Sequence, residues 1–221
     1  MSSLETPCPV CFGKTLNVPL HFYKYRRCEN CNHCFSSENK ITALKNYNNL
    51  HLKRMRKNEE ILQFTFTQKY FDRIDSLSNK KKNLIDNFCP YAKSILDLES
   101  EIGCFEKDEG DCFTQITHLE KHLVNSIYKN NMYYNKEYDV IISYEHLEYE
   151  KDILKIAPYI MSHLSKKGSW IIRLPVNNKV EDNYLGRIHE FSSESAIIFA
   201  SKLSYNFCSI DMNDSVILII N

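Results

Sequence analysis

The chain has 221 residues and a mass of 26.1 kDa, with 28 basic and 28 acidic side chains. That length supports one sizeable core plus a small appendage, and no apolar run nears the ~20 residues that a membrane-spanning helix needs. The balance hides a segregation: residues 1–93 carry 16 basic against 8 acidic groups and residues 94–221 carry 12 against 20. A basic front half admits contact with a polyanion, although such a surface is more commonly a solvated helix face. The N-terminus has no charged segment followed by a hydrophobic one, so an unexported, cytoplasmic protein is expected. The nine cysteines are then expected in a reducing compartment, where grouped thiols hold metal more often than they form disulfides.

Cys8-Pro-Val-Cys11 and Cys28-Glu-Asn-Cys31 open the chain as two C-x2-C knuckles. Each knuckle aims two thiolates at one point, and two together complete the closed tetrahedron of a structural zinc site, with no position left for catalysis. Residues 1–37 are therefore predicted to form a four-cysteine zinc ribbon whose folding is coupled to the metal. Cys34 forms a further C-x2-C pair with Cys31, and His21 or His33 offers an alternative ligand; the favoured set is Cys8, Cys11, Cys28 and Cys31.

Residues 38–92 read as a helical basic connector, with Lys53, Arg54, Arg56 and Lys57 in one heptad and a helical apolar stripe at Leu84, Ile85 and Phe88. After Pro90 short apolar runs alternate with amphipathic stretches. Strands are predicted at 94–98, 113–119, 138–143, 169–174, 205–211 and 216–220. Helices are predicted at 151–164 and 192–203, the second capped by Ser192. Alternation of this kind predicts a mostly parallel α/β sheet, closed by an antiparallel hairpin at its edge.

The motifs in this region resemble class I S-adenosylmethionine-dependent methyltransferases that carry an N-terminal zinc ribbon. Asp97-Leu98 followed by Glu99-Ser-Glu101-Ile-Gly103 is similar to that family's Asp-x-Gly-x-Gly-x-Gly turn, with only the last glycine kept. Glu120 stands 17 residues after Gly103, where the family has the acidic residue that binds the cofactor ribose. Glu137-Tyr-Asp-Val-Ile-Ile-Ser143 resembles its fourth strand, His146-Leu-Glu-Tyr149 its His-x-Leu-Glu-His turn, and Trp170 to Pro175 its fifth strand. His189-Glu-Phe191-Ser192 matches the entry to its last helix loosely.

The resemblance implies a reduced Rossmann-like methyltransferase domain over residues 93–221. It also implies S-adenosylmethionine as cofactor, held by Asp97, Glu99, Gly103, Glu120 and Ser143. His146, then Tyr149 and His189, are the implied bases for an acceptor that is a small molecule or glycan precursor. Glu99 and Glu101 add side chains where the backbone approaches the ligand, which sets up a rival expectation. In that rival the domain is a catalytically silent module that binds a protein partner through ribbon and connector. Nucleic acid is the less favoured partner in either case.

Overall fold

The computed structural model describes residues 6–20, 23–36, 68–98, 115–118, 137–144, 147–150, 152–176, 188–203, 206–212 and 214–221. Near the N-terminus, β1 (Thr15–Leu20), β2 (Tyr23–Cys28) and β3 (Cys34–Ser36) form an antiparallel meander. A long helix, α1 (Gln68–Phe88), leads into the main sheet. The sheet and its cover comprise β4 (Ser94–Asp97), β5 (Gln115–His118), β6 (Tyr138–Tyr144), α2 (Ile153–Met161), β7 (Leu164–Pro175), β8 (His189–Glu190), α3 (Ser193–Lys202), β9 (Phe207–Asp211) and β10 (Ser215–Ile220). The connector stripe at Leu84 and Ile85 belongs to one continuous α1. The basic heptad at residues 53–57 lies outside the described residues.

The main sheet runs β5-β4-β6-β7-β10-β9. Strands β5, β4, β6 and β7 are mutually parallel, while β10 is antiparallel to both β7 and β9. The C-terminal hairpin lies at the sheet edge as expected, with β9 outermost and β10 paired inward to β7. Burial explains which of its strands is outermost, because all six residues of Ser-Val-Ile-Leu-Ile-Ile are buried whereas none of β9 is. A strand apolar on both faces needs neighbours on both sides and cover on both faces.

Side-chain alternation splits the core into two layers. On one face Ile95, Val140, Ile142, Ile171, Ile217 and Ile219 pack with Ile85 of α1. On the other, Leu96, Ile141, Trp170, Ile172 and Leu218 pack with Ile153, Ala157 and Ile160 of α2 and with Ala196, Phe199 and Ala200 of α3. In α2 the buried positions 153, 157, 160 and 161 follow the helical period. Helix α3 starts at the expected cap: Ser192 Oγ accepts from Ser195 N–H at 3.0 Å, and Ser195 Oγ accepts from Ser192 N–H at 2.9 Å.

The amino ends of β4 and β6 are clamped by Asp139. Its Oδ2 accepts from Lys93 N–H at 2.8 Å, Ser94 N–H at 3.1 Å and Ser94 Oγ at 3.1 Å, and its Oδ1 accepts from Ser165 Oγ at 3.1 Å. Burial works to raise this carboxyl, but the bonds from Lys93, Ser94 and Ser165 outweigh it and lower the pKa. A lowered folded pKa means a stabilisation that is complete above the carboxyl's unfolded value, about 3.9, and is lost as pH falls through the folded one. Asp139→Ala is expected to cost about 2–3 kcal/mol at neutral pH by urea unfolding, because donors to a charged acceptor lose their partner. Its penalty should shrink in acid.

One glycine is sterically required. Opposite Asp139 the register slips, so that Tyr138 faces Leu164 while Val140 faces Ser169. A Cβ on Gly168 would stand 2.8 Å from the Tyr138 carbonyl oxygen.

Candidate functional site

Among the described residues, two places hold groups capable of chemistry, and the first is the ribbon. The sulfurs of Cys8, Cys11, Cys28 and Cys31 all lie within 4.8 Å of one another, with Cys8 and Cys31 Sγ 3.8 Å apart and Cys11 and Cys28 Sγ 3.3 Å apart. Zinc bonded to four thiolates at about 2.3 Å sets sulfur–sulfur edges of ~3.8 Å, so the donor set fits one such ion.

The two knuckles are built alike. Val10 N–H points at Cys8 Sγ and Asn30 N–H at Cys28 Sγ, each at 3.4 Å. Phe12 N–H donates to the Cys8 carbonyl and Asn32 N–H to the Cys28 carbonyl, at 2.9 and 3.1 Å. Each turn then passes through a left-handed residue, Phe12 at φ 64° and Asn32 at φ 54°. The backbone N–H groups favour thiolate over thiol. The protons are shared unevenly: hydrogen bonding to Cys31 lowers Cys8 against the effect of burial, and the same contact raises Cys31.

The alternative ligands stand apart from this group. Cys34 Sγ accepts from Arg27 Nε at 3.4 Å. His33 is fully buried, with Nε2 3.0 Å from His189 Nδ1 and its ring stacked on that of His189. Burial first, and His189 second, hold its pKa well below the usual value, so it is neutral. His21 lies outside the described residues.

His189 thus sits at the seam between ribbon and sheet. It belongs to β8, which pairs with β3 and completes a four-stranded antiparallel sheet with the meander. Ser192 Oγ donates to the Cys31 carbonyl at 2.8 Å, and Cys8, Val10, Cys28 and Cys31 share a core cluster with Trp170, Phe191 and Phe199. Ile188 N–H donates to the Glu148 carbonyl at 2.7 Å. This joins the seam to the turn at Leu147–Tyr149 that follows β6.

The second place is the carboxyl end of the parallel strands. In open α/β sheets ligands bind there, beside the point where successive connections leave in opposite directions. Here that point lies between β4 and β6, because β5 adds on the far side of β4 and β7 on the far side of β6. Asp97 closes β4 with its carboxylate fully buried, and Lys81 of α1 places its ammonium 2.7 Å from Oδ2. The same ammonium lies 5.2 Å from the ring centroid of Tyr144, the last residue of β6.

Arg173 of β7 lies 6.0 Å from that ring, and its guanidinium reaches both carboxylate oxygens of Asp214 at 3.5 Å. Burial raises the Tyr144 phenol above its ordinary pKa, against the pull of Arg173, and keeps it protonated.

Ser143 neighbours Tyr144 but points to the opposite face, where its buried Oγ accepts from Trp170 Nε1 at 2.9 Å. The sheet therefore separates Asp97 and Ser143 onto different faces. Glu99, Gly103, Glu120 and His146 lie outside the described residues, and Tyr149 closes the turn after β6. The residues that sequence reasoning did not single out are Lys81, Tyr144 and Arg173. Lys81 left a signal, since it precedes Leu84 and Ile85 by three and four positions and so is a cation on the apolar stripe of α1.

The fold and the two sites define an α/β protein of Rossmann-like topology with a four-cysteine group, able to hold a metal ion, built into one face. No family model matches the chain, and no curated protein matches it. It is similar to several solved structures, methyltransferases among them. One is an O-methyltransferase family protein from Burkholderia thailandensis, at 11% identity and TM-score 0.47, covering 69% of this chain and 58% of that one. Another is an S-adenosylmethionine-dependent methyltransferase from Leishmania major, at 12% identity and TM-score 0.48, covering 69% and 73%. A third is Streptomyces venezuelae DesVI, at 12% identity and TM-score 0.46, covering 66% and 91%. The chain spans less than three fifths of the length of the Burkholderia protein.

Proposed function

We propose that the chain is an S-adenosylmethionine-dependent methyltransferase with one structural zinc, acting on a small molecule or glycan precursor. The observation that carries this reading is the sheet itself: the order β5-β4-β6-β7-β10-β9, with the reversed β10 between β7 and β9, sets a ligand crevice at the ends of β4 and β6. Asp97, the run Tyr138–Ser143 and the run Trp170–Pro175 fall on that sheet in the order the resemblance implies. A buried carboxylate at the end of β4 is complementary to the cationic methionine portion of the cofactor, so the residues present fit it.

The bound cofactor supplies a methyl group on a sulfonium centre that is open to in-line displacement. The chain's own residues then have three tasks: to hold the reactants aligned, to exclude water and to take a proton from the acceptor. Asp97 orients the cationic end, with Glu99 and Gly103 beside it. Glu120 accepts hydrogen bonds from ribose hydroxyls. His146, two residues after the end of β6 in the sequence, is the proposed base, with Tyr149 of the turn at Leu147–Tyr149 second. His189 is held against His33 and in this reading positions the ribbon against that turn. The domain limits follow: ribbon at 1–37, connector at 38–92 and catalytic domain at 93–221, in the cytoplasm.

Calorimetric titration of the zinc-loaded protein with S-adenosylmethionine tests the reading. The expected Kd is on the order of 10–100 μM, weakened about tenfold or more by Glu120→Ala through loss of charged hydrogen bonds. No heat and no thermal shift at ~1 mM ligand would sink it. The silent binding module would then stand, which the carboxylates of Glu99 and Glu101 in place of glycines favour.

A further inference from the structure

Lys81 approaches the sheet from the α1 side and ends at the one position where the topology sets a ligand. Asp97 and Tyr144 are the last residues of the adjacent parallel strands β4 and β6, and the Lys81 ammonium lies 2.7 Å from the first and 5.2 Å from the ring centre of the second. A carboxylate and an aromatic ring arranged around one point make a receptor for a single cation. Lys81 is 3% exposed and Asp97 is fully buried, so the ammonium fills the receptor rather than hovering at its mouth. The local charge leaves little room for another cation, because Arg173 also lies 6.0 Å from the Tyr144 ring.

We propose that Lys81 is an internal competitor that occupies the cation position of the crevice, so that a ligand ammonium reaches Asp97 only by displacing it. This rests on the reading of the crevice as the cofactor site. The ligand class is a small molecule carrying an alkylammonium group, as the amino-acid end of S-adenosylmethionine does. In the resting state Lys81 and Asp97 neutralise each other. Binding exchanges one cation for another, and the released Lys81 must leave the sheet, loosening the turn of α1 that carries it. The apparent affinity is then the intrinsic one reduced by the fraction of molecules in which Lys81 is already withdrawn.

The test compares the wild type with Lys81→Gln, whose amide still donates to Asp97 but brings no charge. In calorimetric titration S-adenosylmethionine is expected to bind Lys81→Gln at least about tenfold tighter than the wild type. In the wild type, amide hydrogen exchange over residues 78–85 is expected to speed up when the ligand is added. Equal or weaker binding to Lys81→Gln, with the wild type binding normally, overturns the competitor and leaves the cofactor reading intact. Absence of binding to both proteins overturns both. Should Lys81→Gln fail to fold, exchange in the wild type decides alone: faster exchange over 78–85 supports displacement, and slower or unchanged exchange refutes it.

Discussion

Cys28→Ser is expected to strip the protein of its metal and to lower its melting temperature by about 10 °C, equivalent to about 3–4 kcal/mol for a chain of this size. The size of the effect follows from where the knuckles sit. An independent ribbon would melt without consequence for the rest, but Cys8, Val10, Cys28 and Cys31 are packed in one cluster with Trp170, Phe191 and Phe199. The edge of the ribbon is also hydrogen-bonded to β8, and the cap of α3 is tied to the Cys31 carbonyl. The three remaining thiols would be left in that cluster or packed against it with no ion to draw them together. Elemental analysis should find one zinc per chain in the wild type and none in Cys28→Ser. Full occupancy with an unchanged melting curve in the variant would overturn both the ligand set and the coupling.

The second large effect is expected at Lys81→Met, which should cost about 3–5 kcal/mol in urea unfolding, because it leaves a buried carboxylate without its charge partner. The double change Lys81→Met with Asp97→Leu should recover most of that loss. Well-packed apolar residues replace a buried ion pair at little net cost, and the surrounding face already consists of Ile85, Ile95, Val140 and Ile142. A single-variant cost below about 1 kcal/mol would mean that the pair is worth no more than a surface salt bridge. The same pair bears on function. If it is kept at the expense of stability, the reason lies in what it does to the crevice.

Much of the framework was legible in the residues. The spacing Cys8, Cys11, Cys28, Cys31 pointed to one four-sulfur group because a tight turn brings thiols two residues apart onto the same side, whatever surrounds them. The runs 94–98, 138–143 and 216–220 announced strands because they are short and rich in Ile, Leu and Val, the length and composition that suit a buried strand. Ser192 announced the start of α3 because the cap is a local hydrogen bond.

The edge hairpin was legible, but the order of its strands was less accessible: nothing local says which of the two pairs with β7. That depends on which neighbour buries both faces of Val216 to Ile220. The site followed the same division. Asp97 was found from its place at the end of an apolar run, whereas its partner Lys81 is 16 residues away on another element and showed itself only as a misplaced charge on a helix stripe.

The sequence by itself thus determined most of the main sheet's strands and helices and the four-cysteine group, because both arise from contacts within a few residues. Only the tertiary structure decided that the ribbon shares a core with the sheet, that His189 meets His33 across 156 positions, and that Lys81 pairs with Asp97. These are pairings between distant segments, and their energies come from burial and charge neutralisation that no single segment carries alone.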